Sequence, residues 1–258
     1  MHPSTREIRL AQALVEAADT LTDGFESAHH LRRVADHCVH LLSARAAGIM
    51  LIENGRTVSL TGSSAHEETA TELLQAQRGG GPCLDSYSSG RPVPQVSIRA
   101  ARAAARWPEF TERALAHGIE ATFAVPLRRD QRLLGALTVF SPALPDDSPG
   151  NAAELRLVQL IADCAALGLH NNTTYVQCRT LAGQLQQALS SRVRIEQAKG
   201  MLAERWGTAA DHAFVALRQY ARRHRMPLDG VAQAVIDGVA DDAGLRREAG
   251  RADDEGHA

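Results

Sequence analysis

The sequence changes its periodicity at Ala152, and that change limits the fold more than any other feature. Before it, short apolar runs alternate with turn residues and short helical patterns. After it, apolar residues recur at helical spacing almost without pause to Val239. Such a chain is expected to form an α+β region followed by an all-α region. Its 258 residues suffice for two separate cores.

In the first region, Leu10, Leu14, Ala18 and Leu21 predict a helix over Glu7–Leu21. Leu31, Val34, Cys38, Leu41 and Leu42 predict a second over about Ala28–Ala44. "AAGIMLIENGRTVSLTGSS" reads as two strands joined at Asn54-Gly55, the strongest short-range hairpin signal. A helix over Glu67–Gln77 precedes "RGGGPCLDSYSSGRPVPQVSI", where Gly, Pro and Ser leave room only for a turn of helix near Cys83–Tyr87 and a brief edge strand. A short helix over Glu109–Ala116 leads into "IEATFAVPLRRDQRLLGALTVFSP", two strands with a charged turn at Arg128–Gln131. Gly135 there permits close backbone approach. "ALPDDSPGN" reads as a loop.

The second region is expected to hold one helix to about His170, a polar break at "NNTT", and a long helix through Trp206. Leu181, Leu185, Ala188, Ile195, Leu202 and Trp206 follow one face of that helix with heptad-like spacing, as in a helix that packs against a partner. Thr208 and Asp211 resemble a capping box, and Ala213, Phe214, Leu217 and Ala221 form the stripe of the next helix. Pro227 starts a last one with Leu228, Val231, Ala232, Val235 and Ile236 inward. The tail from residue 240 is too polar to fold and is expected to be disordered.

Composition narrows the functional classes. Of the 28 Lys and Arg residues only one, Lys199, is a lysine. A phosphate-binding GxxxxGK[ST] loop, a Schiff-base lysine, a kinase-type lysine and a receiver-domain lysine are therefore all excluded from the first 180 residues. Cys38, Cys83, Cys164 and Cys178 show no CxxC spacing, so neither a zinc site nor a disulfide framework is signalled. No apolar run approaches the roughly 20 residues of a membrane span, and a cytoplasmic protein is expected. No Ser/His/Asp set or paired carboxylates suggest catalysis, and no cofactor is indicated.

Charge is divided unevenly. Leu181–Val239 carries +3 within a chain of net −2, which points to a polyanionic partner for the C-terminal region alone. Arg192, Glu196 and Lys199 fall at i, i+4 and i+7 on the apolar side of the long helix, so they are expected to pair with one another. Gly200 beside them suggests either a crossing too close for a Cβ, where a thin ammonium stem fits and a guanidinium does not, or an accident of composition.

The run "SRVRIEQAKGMLAERWGTAADHAFVALRQYARRHRMPLDGVAQAVIDG" resembles the ANTAR family of RNA-binding antitermination modules. The likeness rests on Ala198-Lys199-Gly200, Met201-Leu202, Ala213-Phe214, Leu217-Arg218 and Val231-Ala232 and spans about Leu181–Val239. It implies a three-helix module with a long coiled-coil-like first helix, and a homodimer that binds paired hairpin loops in nascent RNA and prevents terminator formation. Candidate RNA-binding residues are Arg194, Lys199, Arg205, Arg218, Tyr220, Arg222, Arg223, His224 and Arg225, where guanidinium groups meet phosphates and planar rings meet unpaired bases. Leu181, Leu185, Arg192, Ile195, Glu196, Gly200 and Leu202 are assigned to the structural and dimer helix. The alternatives are a regulator that acts through protein contacts or through DNA, although the helix beginning "PLDGVAQ" lacks the basic N-terminal end of a DNA-recognition helix.

"GPCLDSYSSGRPV", "RWPEF" and "AVPLRRDQRLLGALTVFS" resemble a GAF domain, over about Asp19–Leu169. This implies a sensor with a central antiparallel sheet and flanking helices, able to take a small ligand or redox signal. The NKFDE signature of cyclic-nucleotide-binding GAF domains is absent. Gly81, Cys83 and Trp107 are candidate pocket residues. Gly79-Gly80-Gly81 reads either as a phosphate cradle or as a flexible loop, and Cys83 either as a redox sensor or as a buried structural thiol. His30, His37 and His40 could face a metal or haem, or lie at the edge of an apolar stripe; no metal is assigned. The expected organisation is a sensor domain over 1–170, linker helix and RNA-binding domain over 171–239, and the tail over 240–258.

Overall fold

The computed structural model describes residues 5–22, 24–143 and 150–255, which form two compact units divided after Val176. The loop expected at "ALPDDSPGN" lies largely outside the described residues, as do residues 256–258.

The first unit is built on a five-stranded antiparallel sheet of order β2-β1-β5-β4-β3. Its strands are β1 (Ala46–Glu53), β2 (Arg56–Gly62), β3 (Val93–Ser97), β4 (Ala121–Arg129) and β5 (Arg132–Ser141). The hairpins sit where turn chemistry places them. Asn54 and Gly55 both take positive φ, 51° and 76°, between the paired residues Glu53 and Arg56. Asp130 (φ 55°) closes the β4–β5 turn. Strand alternation sorts side chains onto two faces. One face carries Ala47, Ile49, Phe123, Val125, Leu127, Leu137 and Val139 against α1 (Thr5–Ala18), α2 (Ser27–Leu42) and the start of α7 (Gly150–Trp206). The other carries Ala46, Met50, Ile52, Ala124, Ala136 and Phe140 beneath α3 (Glu67–Ala76), α4 (Pro82–Ser89), α5 (Ile98–Ala103) and α6 (Pro108–Ala116). Each fully buried Leu, Ile or Phe here is worth about 1.5–3 kcal/mol of transfer free energy.

The polar break expected at "NNTT" is corrected: α7 runs through it. Asn172 Nδ2 donates to the Thr20 carbonyl at 2.8 Å and the Thr173 hydroxyl to the Leu169 carbonyl at 2.9 Å. Thr20 in turn donates to the Gly168 carbonyl at 2.7 Å. The polar side chains thus dock the end of α1 instead of unwinding α7.

The second unit contains the remainder of α7, then α8 (Ala210–His224), α9 (Leu228–Ile236) and α10 (Asp242–Glu255). Ala198, Leu202, Ala213, Leu217, Ala221, Val231, Ala232, Val235 and Leu245 make its core. Two expectations are corrected here. The tail is not disordered from residue 240, because α10 forms and buries Leu245 completely. Nor does a capping box start α8: Ala209 is its N-cap, with no side-chain cap. Among the described residues, no helix is long and apolar enough to cross a membrane.

Candidate nucleic-acid interface

Helical spacing on α8 separates its buried stripe, Ala213, Ala216, Leu217 and Ala221, from Arg218 and Arg222. These two, with Arg225 at the αL cap (φ 54°), point away from the core and are exposed. Among the described residues no acid pairs with Arg218, Arg222 or Arg225. Three uncompensated guanidinium groups one helical turn apart are well placed for phosphates along one strand.

The other candidate cations are engaged. Arg194 Nη2 lies 3.1 Å from Asp229 Oδ2, Arg205 Nη1 3.2 Å from Asp242 Oδ1, and Arg223 Nη1 2.9 Å from Glu248 Oε1. Of these pairs only Arg205–Asp242 has both partners well exposed, where a pair contributes about 0.2–1 kcal/mol and can be exchanged for another anion; Glu248 is buried beneath Arg223. Lys199 Nζ sits 3.0 Å from Glu196, 4.0 Å from Asp211 and 5.8 Å from the Phe214 ring, with only 18% of its side chain exposed. Lys199 thus bridges α7 to the start of α8. The close crossing proposed at Gly200 is corrected, because a Cβ there would meet nothing within 4 Å. Arg192 is exposed, so the expected trio reduces to the Lys199–Glu196 pair.

Tyr220 and His224 stack on each other at 4.1 Å, 26° apart, on the side of α8 that faces the core. Tyr220 is half-buried and does not share the surface of Arg218 and Arg222. The assigned dimer-helix residues also divide. Leu202 is buried and Ile195 packs on the same core, whereas Leu181 and Leu185 are 56% and 62% exposed. Leu189 and Val193, which sequence reasoning left out, continue that exposed row at four-residue spacing.

In the first unit, Gly81, Cys83 and Trp107 come together beside α4. Gln77 is fully buried; its Oε1 accepts from the Cys83 amide at 2.8 Å, and its Cγ lies 2.4 Å from where a Gly81 Cβ would sit. The glycine run thus makes way for Gln77, and nothing here forms a phosphate cradle. Cys83 Sγ lies 3.6 Å from the Ala136 carbonyl oxygen, and burial pushes its thiol up to about 12. Full burial of Cys83 suits a structural thiol better than a redox sensor, which needs an accessible thiolate. Trp107 has φ 54°, uncommon for a bulky residue, and donates its indole N–H to Asp85 Oδ2 at 3.2 Å beneath the Arg106 guanidinium.

His30 is buried and desolvation lowers its pKa, His37 meets Glu16 at 3.0 Å, and His40 is exposed. Among the described residues no three His, Cys, Asp or Glu side chains could share a metal. A cleft of about 540 Å³ opens at the β1–β2 turn end of the sheet, lined in part by Glu53, Tyr87, Arg132, His170 and Thr173. No sequence pattern pointed to it, because its walls come from five separate elements, α2, β1, α4, β5 and α7.

Comparison with known proteins matches residues 29–170 to the GAF domain and residues 183–236 to the ANTAR domain. Similar solved structures include the GAF domain of an Acinetobacter phosphoenolpyruvate-protein phosphotransferase, 13% identical over 67% of this chain and 98% of that one, with a TM-score of 0.46. The GAF domain of a putative sensor histidine kinase from Pseudomonas syringae pv. tomato is 17% identical over 73% and 93%, with a TM-score of 0.42. Free methionine-R-sulfoxide reductase from Neisseria meningitidis is 15% identical over 66% and 96%, with a TM-score of 0.44. No curated protein matches.

Proposed function

This chain belongs to the GAF domain family and carries an ANTAR domain behind it, and from that premise we propose that it is a signal-responsive RNA-binding regulator of transcription antitermination. The observation that carries this reading is the exposed row of Arg218, Arg222 and Arg225 on the ANTAR domain, with which no acid pairs among the described residues. A hairpin loop offers phosphates to such a row, and the binding would be sequence-tolerant and salt-dependent.

The protein acts as a homodimer in the cytoplasm. Leu181, Leu185, Leu189 and Val193 lie at four-residue spacing along α7 and are 49–62% exposed, an apolar row with no cover among the described residues. A second copy of the same helix covers it with like residues. A small molecule held by the GAF domain shifts the packing of α7 and so the pairing of two ANTAR domains. This requires the ligand to favour one packing over the other.

The test is single-round transcription on a template whose leader carries two adjacent hairpins and a terminator. Purified protein should raise readthrough, and Arg218→Gln/Arg222→Gln/Arg225→Gln should not. Readthrough unchanged by folded, dimeric protein, with and without cell extract as a source of ligand, would refute the proposal.

A further inference from the structure

Helix α10 lies beyond the residues matched to the ANTAR domain, yet it is docked on α8. Among the described residues Leu245 is its fully buried apolar anchor. Gly244 lets the two helices close: a Cβ there would stand 2.9 Å from Tyr220 Cε2. Around this anchor, α10 presents carboxylates to basic and donor groups of the module. Asp242 Oδ1 meets Arg205 at 3.2 Å and accepts the Trp206 indole N–H at 3.1 Å. Glu248 Oε1 meets Arg223 at 2.9 Å, and the Glu248 side chain is only 7% exposed.

We propose that α10 is a built-in competitor for polyanions: its carboxylates occupy Arg205 and Arg223 in place of RNA phosphates and hold the module in a low-affinity state. A carboxylate and a phosphate offer a guanidinium the same paired oxygen acceptors, so one excludes the other. Among the described residues nothing pairs with Arg218, Arg222 or Arg225, so RNA can engage first at that row. Displacement of α10 then adds two further cations. Among its described side chains the segment is held by Leu245 and by ion pairs to Arg205 and Arg223, within the polar run "DAGLRREAGRADDE", so its attachment responds to competing anions. This inference rests on the RNA-binding reading of the same module.

The experiment compares full-length protein with Asp242→Asn/Glu248→Gln, which keeps Leu245 in place, using an RNA of two adjacent hairpins across a salt series. The variant should bind about threefold to tenfold tighter. Its dependence of log K on log salt should steepen by up to about 1.4–1.8, as expected for two more phosphate contacts. Arg205→Gln/Arg223→Gln should weaken wild type by less than it weakens Asp242→Asn/Glu248→Gln, and should abolish the gain in that background. Unchanged or weaker binding by the variant, at unchanged helix content and melting temperature, would overturn the proposal. If the variant melts early, the Arg205→Gln/Arg223→Gln arm decides: a full loss of affinity in otherwise wild-type protein means that those arginines already contact RNA and α10 does not cover them. Heparin retention separates the two readings. A gain on heparin without RNA binding by any form would refute RNA as partner and leave the competitor role intact, whereas no gain on either refutes the competitor.

Discussion

A Cβ on Gly135 would sit 2.0 Å from the Met50 carbonyl oxygen, so β5 and β1 approach as only glycine allows. The contact is with backbone, which cannot swing aside. Gly135→Ala is expected to destabilise the first unit by about 2–3 kcal/mol. Gly200→Ala is the control, since open space surrounds that position near the C-terminal end of α7. It should stabilise by about 0.5–1 kcal/mol through helix propensity. Denaturant unfolding of both variants checks the opposite signs.

The thiols should divide by burial. Cys38 and Cys83 are fully buried, and burial pushes each up to about 12. Cys178 is exposed on α7. Brief alkylation of native protein at pH 8, read by peptide mass mapping, should label Cys178 and spare Cys38 and Cys83 until denaturant is added.

Glu72 links α3 to α6 through His117, at 2.8 Å, and Arg113. Hydrogen bonds from those two groups, His117 first, hold its carboxyl below the usual value. A carboxylate whose pKa is lowered on folding contributes stability above its unfolded pKa and loses it as pH falls through the folded one. Glu72→Gln should therefore be less stable than wild type at pH 7. The difference should shrink as pH falls through and below the usual carboxylate range, as measured by thermal melts across pH.

The sequence disclosed elements whose cause is local. Asn54-Gly55 encodes its hairpin because the turn itself needs two positive φ values, and the alternation around it fixes both faces of the sheet. It misled where the cause is tertiary. "NNTT" looks like a break until Thr20 offers Asn172 an acceptor 152 positions away in sequence. The run after residue 240 looks disordered because one leucine carries its attachment. At the candidate interface, residue type alone could not separate Arg218, Arg222 and Arg225 from Arg194, Arg205 and Arg223. The acids that pair with the second group come from α9 and α10. Gly200 misled for the opposite reason, since nothing around it requires a glycine.

The exposed row on α7 should set the oligomeric state. Leu185→Glu/Leu189→Glu places like charges across the proposed seam without touching the core of either unit. Light scattering should find wild type dimeric and the variant monomeric at the same concentration, with helix content nearly unchanged.

The most direct test of RNA recognition is the affinity of wild type and of Arg218→Gln/Arg222→Gln/Arg225→Gln for an RNA of two adjacent hairpin loops, measured from low to high salt beside a duplex DNA of equal charge. The expected result is RNA binding by wild type that weakens steeply with salt and exceeds DNA binding. In the triple variant the slope should fall by about 2, roughly three lost phosphate contacts at about 0.7 each. Equal affinity for RNA and DNA, or a folded triple variant with the wild-type affinity and slope, would contradict it.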